Sequence, residues 1–235
     1  MEFPFFALSL TQTSRPISIE ITHFDAFCPN SNAAATAFDA SAATLGTGQL
    51  ITFEGLTPGQ FSSKVIATGV TATQTHYDTT LGGIVTDGYA TPAGAAIGFN
   101  TTPGGTQFLG FVPLWDAGTA QLDFAFTTPV QAWGAYVVGL ESTINGTVSV
   151  TFNDGSSNSF ALTDLSPAGV EFFGFTDPGR SIIQVSLVET GISGTRDIYG
   201  VDDIRYVATP EPATLSLLAL GGAAVALRRR RKQGA

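Results

Sequence analysis

"AQLDFAFTTPV", residues 120–130, decides the fold class. Leu122, Phe124 and Phe126 alternate with Gln121, Asp123 and Ala125, a period of two that gives an extended chain one dry and one wet face. The pattern recurs in "TVSVTFNDG" (147–155), where Val148, Val150 and Phe152 alternate with Thr and Ser. It recurs again in "SIIQVSLVET" (181–190) with Ile183, Val185 and Leu187. "TFNDGSSNSFAL" (151–162) reads as a hairpin whose turn is set by Asn153-Asp154-Gly155. Further strands are expected in "QLITFEG" (49–55), "AAIGFNTT" (95–102), "TQFLGFV" (106–112), "QAWGAYVVGL" (131–140), "EFFGFTD" (171–177) and "DIYGVDDIRYV" (197–207). About nine short strands with almost no helix predict an all-β chain, a two-sheet antiparallel sandwich of jelly-roll-like topology.

One helix is expected, in "SNAAATAFDASAATLG" (31–46). Ser31 or Asn32 caps it, alanine fills its interior and Gly46 stops it. Phe38 and Leu45, seven residues apart, share the face that docks on the core. Residues 1–30 read as irregular, with one short strand expected in "ISIEITHF" (17–24).

The chain has 235 residues, of which 43% are hydrophobic and only 12% charged, with 27 glycines. Soluble proteins ordinarily carry about a quarter charged residues; this mixture suits strands and turns on an extracytoplasmic surface. Charge is divided by region. From Pro210 onward there are five basic residues and one acid, Glu211, a net +4; the body before it has five basic and eighteen acidic residues, a net −13. Such a body lacks the basic surface that displaces counterions from nucleic acid, and it leaves neutral sugars or cations as partners. Cys28 stands alone, which excludes an intrachain disulfide and a thiolate zinc site.

The C-terminal region has three parts. Thr209-Pro210-Glu211-Pro212 resists helix formation, Ala213–Leu227 is uncharged, and Arg228, Arg229, Arg230, Arg231 and Lys232 follow without a break. The fifteen uncharged residues, as helix, span about 22 Å against roughly 30 Å of bilayer hydrocarbon. Snorkelling arginines extend that reach. A transmembrane helix is expected, with the basic cluster at the cytoplasmic boundary and the body outside.

Pro210-Glu211-Pro212, the short uncharged segment and the arginine cluster together resemble the PEP-CTERM sorting signal of Gram-negative bacteria. The resemblance implies recognition and cleavage by exosortase, a membrane-embedded cysteine peptidase, in cells that make exopolysaccharide. It also implies a single-pass intermediate in the cell envelope and then a cell-surface or extracellular product. Proteins of this kind pair the tail with an N-terminal signal peptide. Here "MEFPFFALSLTQTS" (1–14) places Glu2 where a signal carries Lys or Arg, and Pro4 interrupts its apolar run. Residues 1–30 therefore read as a weak or incomplete signal peptide, 31–208 as the β-sandwich domain and 209–235 as the sorting signal. The body resembles the β-rich domains that precede such tails in "ITFEGL", "GFNTTPGGTQFLGF", "VEFFGFTD" and "IYGVDDIRY"; that likeness implies a sandwich without an activity.

Within the body, first and last strands of jelly-roll modules often lie side by side, which would bring Glu54 toward Asp202 and Asp203. Carboxylates with backbone carbonyls suit calcium, the one cofactor this pattern suggests. The other reading is solvated acids at strand ends with Arg205 as ion-pair partner. Alternation places Asp202 on the side of Ile204 and Tyr206. Catalytic signatures are missing: there is no G-x-S-x-G, H-E-x-x-H, phosphate loop or dinucleotide fingerprint. The two histidines, His23 and His76, have no nucleophile at a recognised spacing. Trp133, Tyr136, Tyr77 and Tyr89 are candidates for stacking on sugar rings, although Trp133 sits in an apolar strand and suits the core. No catalytic residue is assigned. The expected role is structural or adhesive and exopolysaccharide-associated. The alternative is a carbohydrate-binding module with a defined glycan, and behind it a surface glycoside hydrolase built on a carboxylate pair.

Overall fold

The computed structural model describes residues 18–19, 29–88, 98–140, 145–162, 169–193 and 196–209. Among them are one helix, α1 (Pro29–Ala42), and twelve strands. The strands are β1 (Ser18–Ile19), β2 (Gly48–Ile51), β3 (Ser63–Ala67), β4 (Val70–Thr75), β5 (Gly83–Thr86), β6 (Gln107–Phe111) and β7 (Gly118–Leu140). They continue with β8 (Asn145–Phe152), β9 (Ser157–Ala161), β10 (Gly169–Thr176), β11 (Ile182–Ile192) and β12 (Tyr199–Ala208). Every pairing is antiparallel.

The strands expected at 120–130 and 131–140 are one strand of 23 residues, and that strand organises the molecule. Its first half pairs with β4 (Val70↔Phe126 to Thr75↔Gln121) and β11. Its second half pairs with β10 and β12. The register against β11 jumps from Gln184↔Ala125 to Ile182↔Val130, so Phe126–Pro129 form a corner. Pro129, having no N–H, leaves no ladder donor unmet there, and its carbonyl accepts from Thr209 N at 2.9 Å.

The two halves face each other across the core. Phe124 and Trp133, on either side of the corner, have ring centroids 6.0 Å apart, and Phe160 of β9 lies 5.3 Å from Phe175 of β10. The alternating residues Leu122, Phe124, Val148, Val150 and Phe152 are all buried in this interior with Trp133, Phe173, Val201 and Ile204. The arrangement is consistent with an all-β sandwich. β2 lies beside β12 (Ile51↔Ile204), as expected of the strands next to Glu54 and through Asp202.

Several expectations need correction. In β11 a bulge falls between Ile182 and Gln184, so Ile182 enters the core and Ile183 does not. The described part of 95–102, Gly98–Thr102, forms no strand. β3, β4 and β5 are strands that no alternation of large apolar residues announces.

The helix begins at Pro29, two residues before the expected cap, and ends at Ala42, before Gly46. Proline suits a first helical position because its missing N–H is an orphan there anyway. Asn32 is not a cap; its Oδ1 accepts from Tyr136 Oη at 2.9 Å. Phe38 and Leu45 do share the docking face, against Ala132, Tyr136, Val138 and Phe172 on the outer side of β7 and β10. Gly134 and Gly174 are directly paired and form the seat of Phe38. A Cβ on Gly174 would come within 2.6 Å of the Phe38 ring.

The segments read as signal peptide lie largely outside the described residues; Ser18–Ile19 within them pair with Phe175–Thr176. The sorting tail from Pro210 onward, with its expected transmembrane helix, also lies outside them. No helix among the described residues is long and apolar enough to cross a membrane.

Candidate functional site

Glu54, Asp202 and Asp203 all act on one loop, Gly98–Gln107. Glu54 follows β2 in a turn instead of ending the strand. Its Oε1 accepts from Thr106 N and Gln107 N, each at 2.7 Å, and from Asn100 Nδ2 at 2.8 Å. Gly105 is pressed against this carboxylate: a Cβ there would lie 2.3 Å from Oε1. At the other end of the loop, Asp202 Oδ2 accepts from Thr101 N at 2.6 Å and Thr101 Oγ1 at 3.0 Å. Asp203 Oδ1 accepts from Thr102 Oγ1 at 2.7 Å.

The two aspartates sit at a bulge in β12. Asp202 is opposite Tyr136 and Arg205 opposite Gly134, one residue more on β12 than on β7. Asp203 takes φ +49° to make it. The bulge breaks the alternation, so Asp202 shares the face of Arg205 and not that of Ile204 and Tyr206. Asp202 is 0% exposed, and burial raises its carboxyl to about 7 against the hydrogen bonds from Thr101.

Glu54, Asp203 and the Oδ2 of Asp202 are met by the loop's N–H and hydroxyl donors and by Arg205. That side chain reaches Asp203 Oδ2 at 3.9 Å and Asp39 Oδ1 at 3.4 Å. The buried Asp202 Oδ1 has no hydrogen-bond partner among the described residues. Among the described residues no group of three or more Asp, Glu, His or Cys side chains is placed to hold a metal ion. The geometry is that of a clasp which fastens the loop over the β7–β12 junction.

Glu189 and Tyr199 are further titratable groups in the interior. Glu189 of β11 is 2% exposed and accepts from Asp197 N at 2.9 Å. Burial, with repulsion from Asp197, pushes its carboxyl up to about 7 although Arg196 and that N–H pull the other way. Tyr199 beside them is fully buried, which raises its hydroxyl well above the usual range. Neither acid is open to a substrate.

The aromatic candidates are mostly core. Trp133 is fully buried and stacks on Phe175 at 5.9 Å; Tyr136 packs edge-on to Phe172 at 5.2 Å; Tyr77 is half-buried against the interior. Tyr89, His23 and Cys28 lie outside the described residues. His76 is exposed, after β4, with Nδ1 2.9 Å from Thr119 O. Trp115, an exposed indole, was not among the candidates. It lies between β6 and β7 in "VPLWDAG" (112–118), outside any alternating run. Its flanking Pro113 and Gly118 are the signal that an aromatic here is on a turn.

β12 ends at Ala208 and Thr209 is still tied to the body, its Oγ1 donating to Ser181 Oγ at 3.1 Å. The sequence beyond this point matches a known family. Residues 208–231 carry the PEP-CTERM protein-sorting motif. The PEP-CTERM motif implies export, sorting to the cell envelope, membrane association and processing by exosortase. No curated protein matches the chain in sequence.

Among solved structures the body is similar to the enzymatically active domain of tailspike protein 4 of bacteriophage CBA120, at 16% identity and TM-score 0.38 over 67% of this chain and 21% of that one. It is similar to the CBM22-1–GH10 modules of a Clostridium thermocellum endo-1,4-β-D-xylanase complexed with xylohexaose, at 10% identity and TM-score 0.36 over 68% and 28%. It is also similar to a carbohydrate-binding module of the β-sandwich superfamily, at 16% and 0.34 over 59% and 57%. The chain thus spans less than two thirds of each, and likenesses this loose assign no function.

Proposed function

We propose that the chain is an exported envelope protein: a jelly-roll-like β-sandwich held outside the cytoplasm by one membrane segment, Ala213–Leu227, until exosortase releases it. Its role is structural or adhesive at an exopolysaccharide-rich surface. The observation that carries this reading is the join between body and signal. β12 lies within the sheet between β7 and its other neighbours, β2 and β6, and runs into the motif at residue 208. Thr209 closes the body with two hydrogen bonds, so cleavage beyond it would leave every strand in place. The acidic body supports a partner that is neither nucleic acid nor an anionic surface.

A non-catalytic role is supported by the burial of Glu189 and Asp202, carboxyls that are raised to about 7 among the described residues. A general acid needs access to its substrate. Binding of a defined glycan is the second reading, favoured by the exposed Trp115.

The test is the signal itself. In an exosortase-bearing host, Glu211→Ala, or Pro210→Ala with Pro212→Ala, is expected to leave unprocessed protein in the membrane fraction. Release at the wild-type rate would reduce the tail to an anchor.

A further inference from the structure

Trp115 is 56% exposed and Leu114 beside it 42% exposed, yet the loop that carries them is held from two sides. Leu114 N donates to His76 O at 2.9 Å, Asp78 N donates to Val112 O at 2.7 Å, and Tyr77 pairs with Pro113. Arg196 comes from the other side, in the stretch leading into β12. Its guanidinium carbon lies 4.7 Å from the Trp115 ring centroid, its Nη1 donates to Pro113 O, and Asp78 Oδ2 is 3.9 Å away. That arginine side chain is itself only 7% exposed. Asp78 is fixed in turn by Thr80 N at 2.9 Å and Thr80 Oγ1 at 2.7 Å. One face of the indole is therefore backed by a guanidinium that cannot move away, and the ring meets solvent with its side-chain freedom already spent.

We propose that Trp115 is a binding platform for the ring of a neutral glycan, an inference that rests on the reading of the protein as exopolysaccharide-associated. A flat, pre-fixed indole face matches the C–H face of a pyranose and loses little entropy when it stacks. Hydroxyls at the ring edge need polar partners, and exposed His76, whose carbonyl accepts from Leu114 N, is the nearest candidate by sequence and pairing. His76 must donate from Nδ1 to the Thr119 carbonyl, which leaves Nε2 an acceptor on an exposed side chain. The patch is too small for a protein partner: two apolar side chains fall far short of the roughly 800 Å² per partner of a stable interface. Among the described residues the cation beside the indole, Arg196, is covered by the ring, and the body carries −13, so an acidic polysaccharide or anionic lipid is repelled.

The experiment uses the full-length chain in native gels cast with galactomannan, with mixed-linkage β-glucan or with alginate. Tryptophan emission is read in parallel. Only two tryptophans exist and Trp133 is buried, so Trp115→Ala leaves Trp133 emission as a control for folding. The expected result is retardation by at least one neutral gel, not by alginate, with a blue shift of the exposed indole. Trp115→Ala is expected to weaken retention at least tenfold, and Trp115→Phe to restore part of it. Retention unchanged in Trp115→Ala overturns the site and leaves the glycan reading standing. Retention by alginate alone overturns the neutral class. No retention in any gel overturns the proposal together with polysaccharide association. Self-association that disappears in Trp115→Ala overturns it in favour of a second copy.

Discussion

Glu189 shows how one buried residue makes stability depend on pH. Its carboxyl titrates at about 7 in the folded chain against an ordinary 4.5, so the folded state holds its proton through a range where the unfolded state has released it. The unfolded state therefore binds fewer protons between about pH 4.5 and 7, and stability falls as pH rises across that window. Below and above it this residue contributes no slope. The groups around it are Asp197, which repels the ionised form, and Arg196, which attracts it. The full effect is at most about 3 kcal/mol. Thermal melts from pH 4 to 8 are expected to show Tm falling in that window, and Glu189→Gln to remove its part of the fall. A variant with the wild-type pH slope would mean that Glu189 is ionised in the fold. Such a residue is invisible in sequence. Alternation with Val185 and Leu187 puts Glu189 on the dry face of β11, opposite buried Ala120, but nothing in the sequence shows that Asp197 and Arg196 come to lie beside it.

At the scale of elements, legibility followed side-chain size. Leu122, Phe124 and Phe126, like Val148, Val150 and Phe152, announce their strands because the core side is large and apolar. β4 alternates just as cleanly, but Val70, Ala72 and Gln74 put a small and a polar residue on the buried side, so no contrast appears in the sequence. Pro129 reads as the end of a strand and is the corner of a longer one. The clasp on loop Gly98–Gln107 was half legible: the acids were found, but their donors, Asn100, Thr101 and Thr102, sit in what reads as a strand.

The helix depends on two glycines whose role no local pattern shows. Gly134 and Gly174 leave the space that Phe38 fills, so Gly174→Val is expected to lift α1 from the sheet. The loss should be about 1–3 kcal/mol from overpacking. Phe38→Ala should be worth about 3–5 kcal/mol alone and should largely absorb the effect of Gly174→Val in the double variant. Simple addition of the two in denaturant unfolding would show that Phe38 does not occupy that seat.

For the whole molecule, the decisive signals were at opposite ends of the scale of locality. The sorting motif is contiguous and reads directly from residues 208–231, because a peptidase recognises a short linear stretch. The body's relation to it is a property of topology. The last strand pairs with β2, β6 and β7 at once, so the body is closed before the signal begins. The measurement that tests this account most directly is the intact mass of the protein recovered from the medium or cell surface of an exosortase-bearing host. The account predicts a product that has lost a C-terminal piece including Arg228–Lys232 and retains the body through Ala208. A product of full-length mass in that host, or one truncated inside β12, would contradict it.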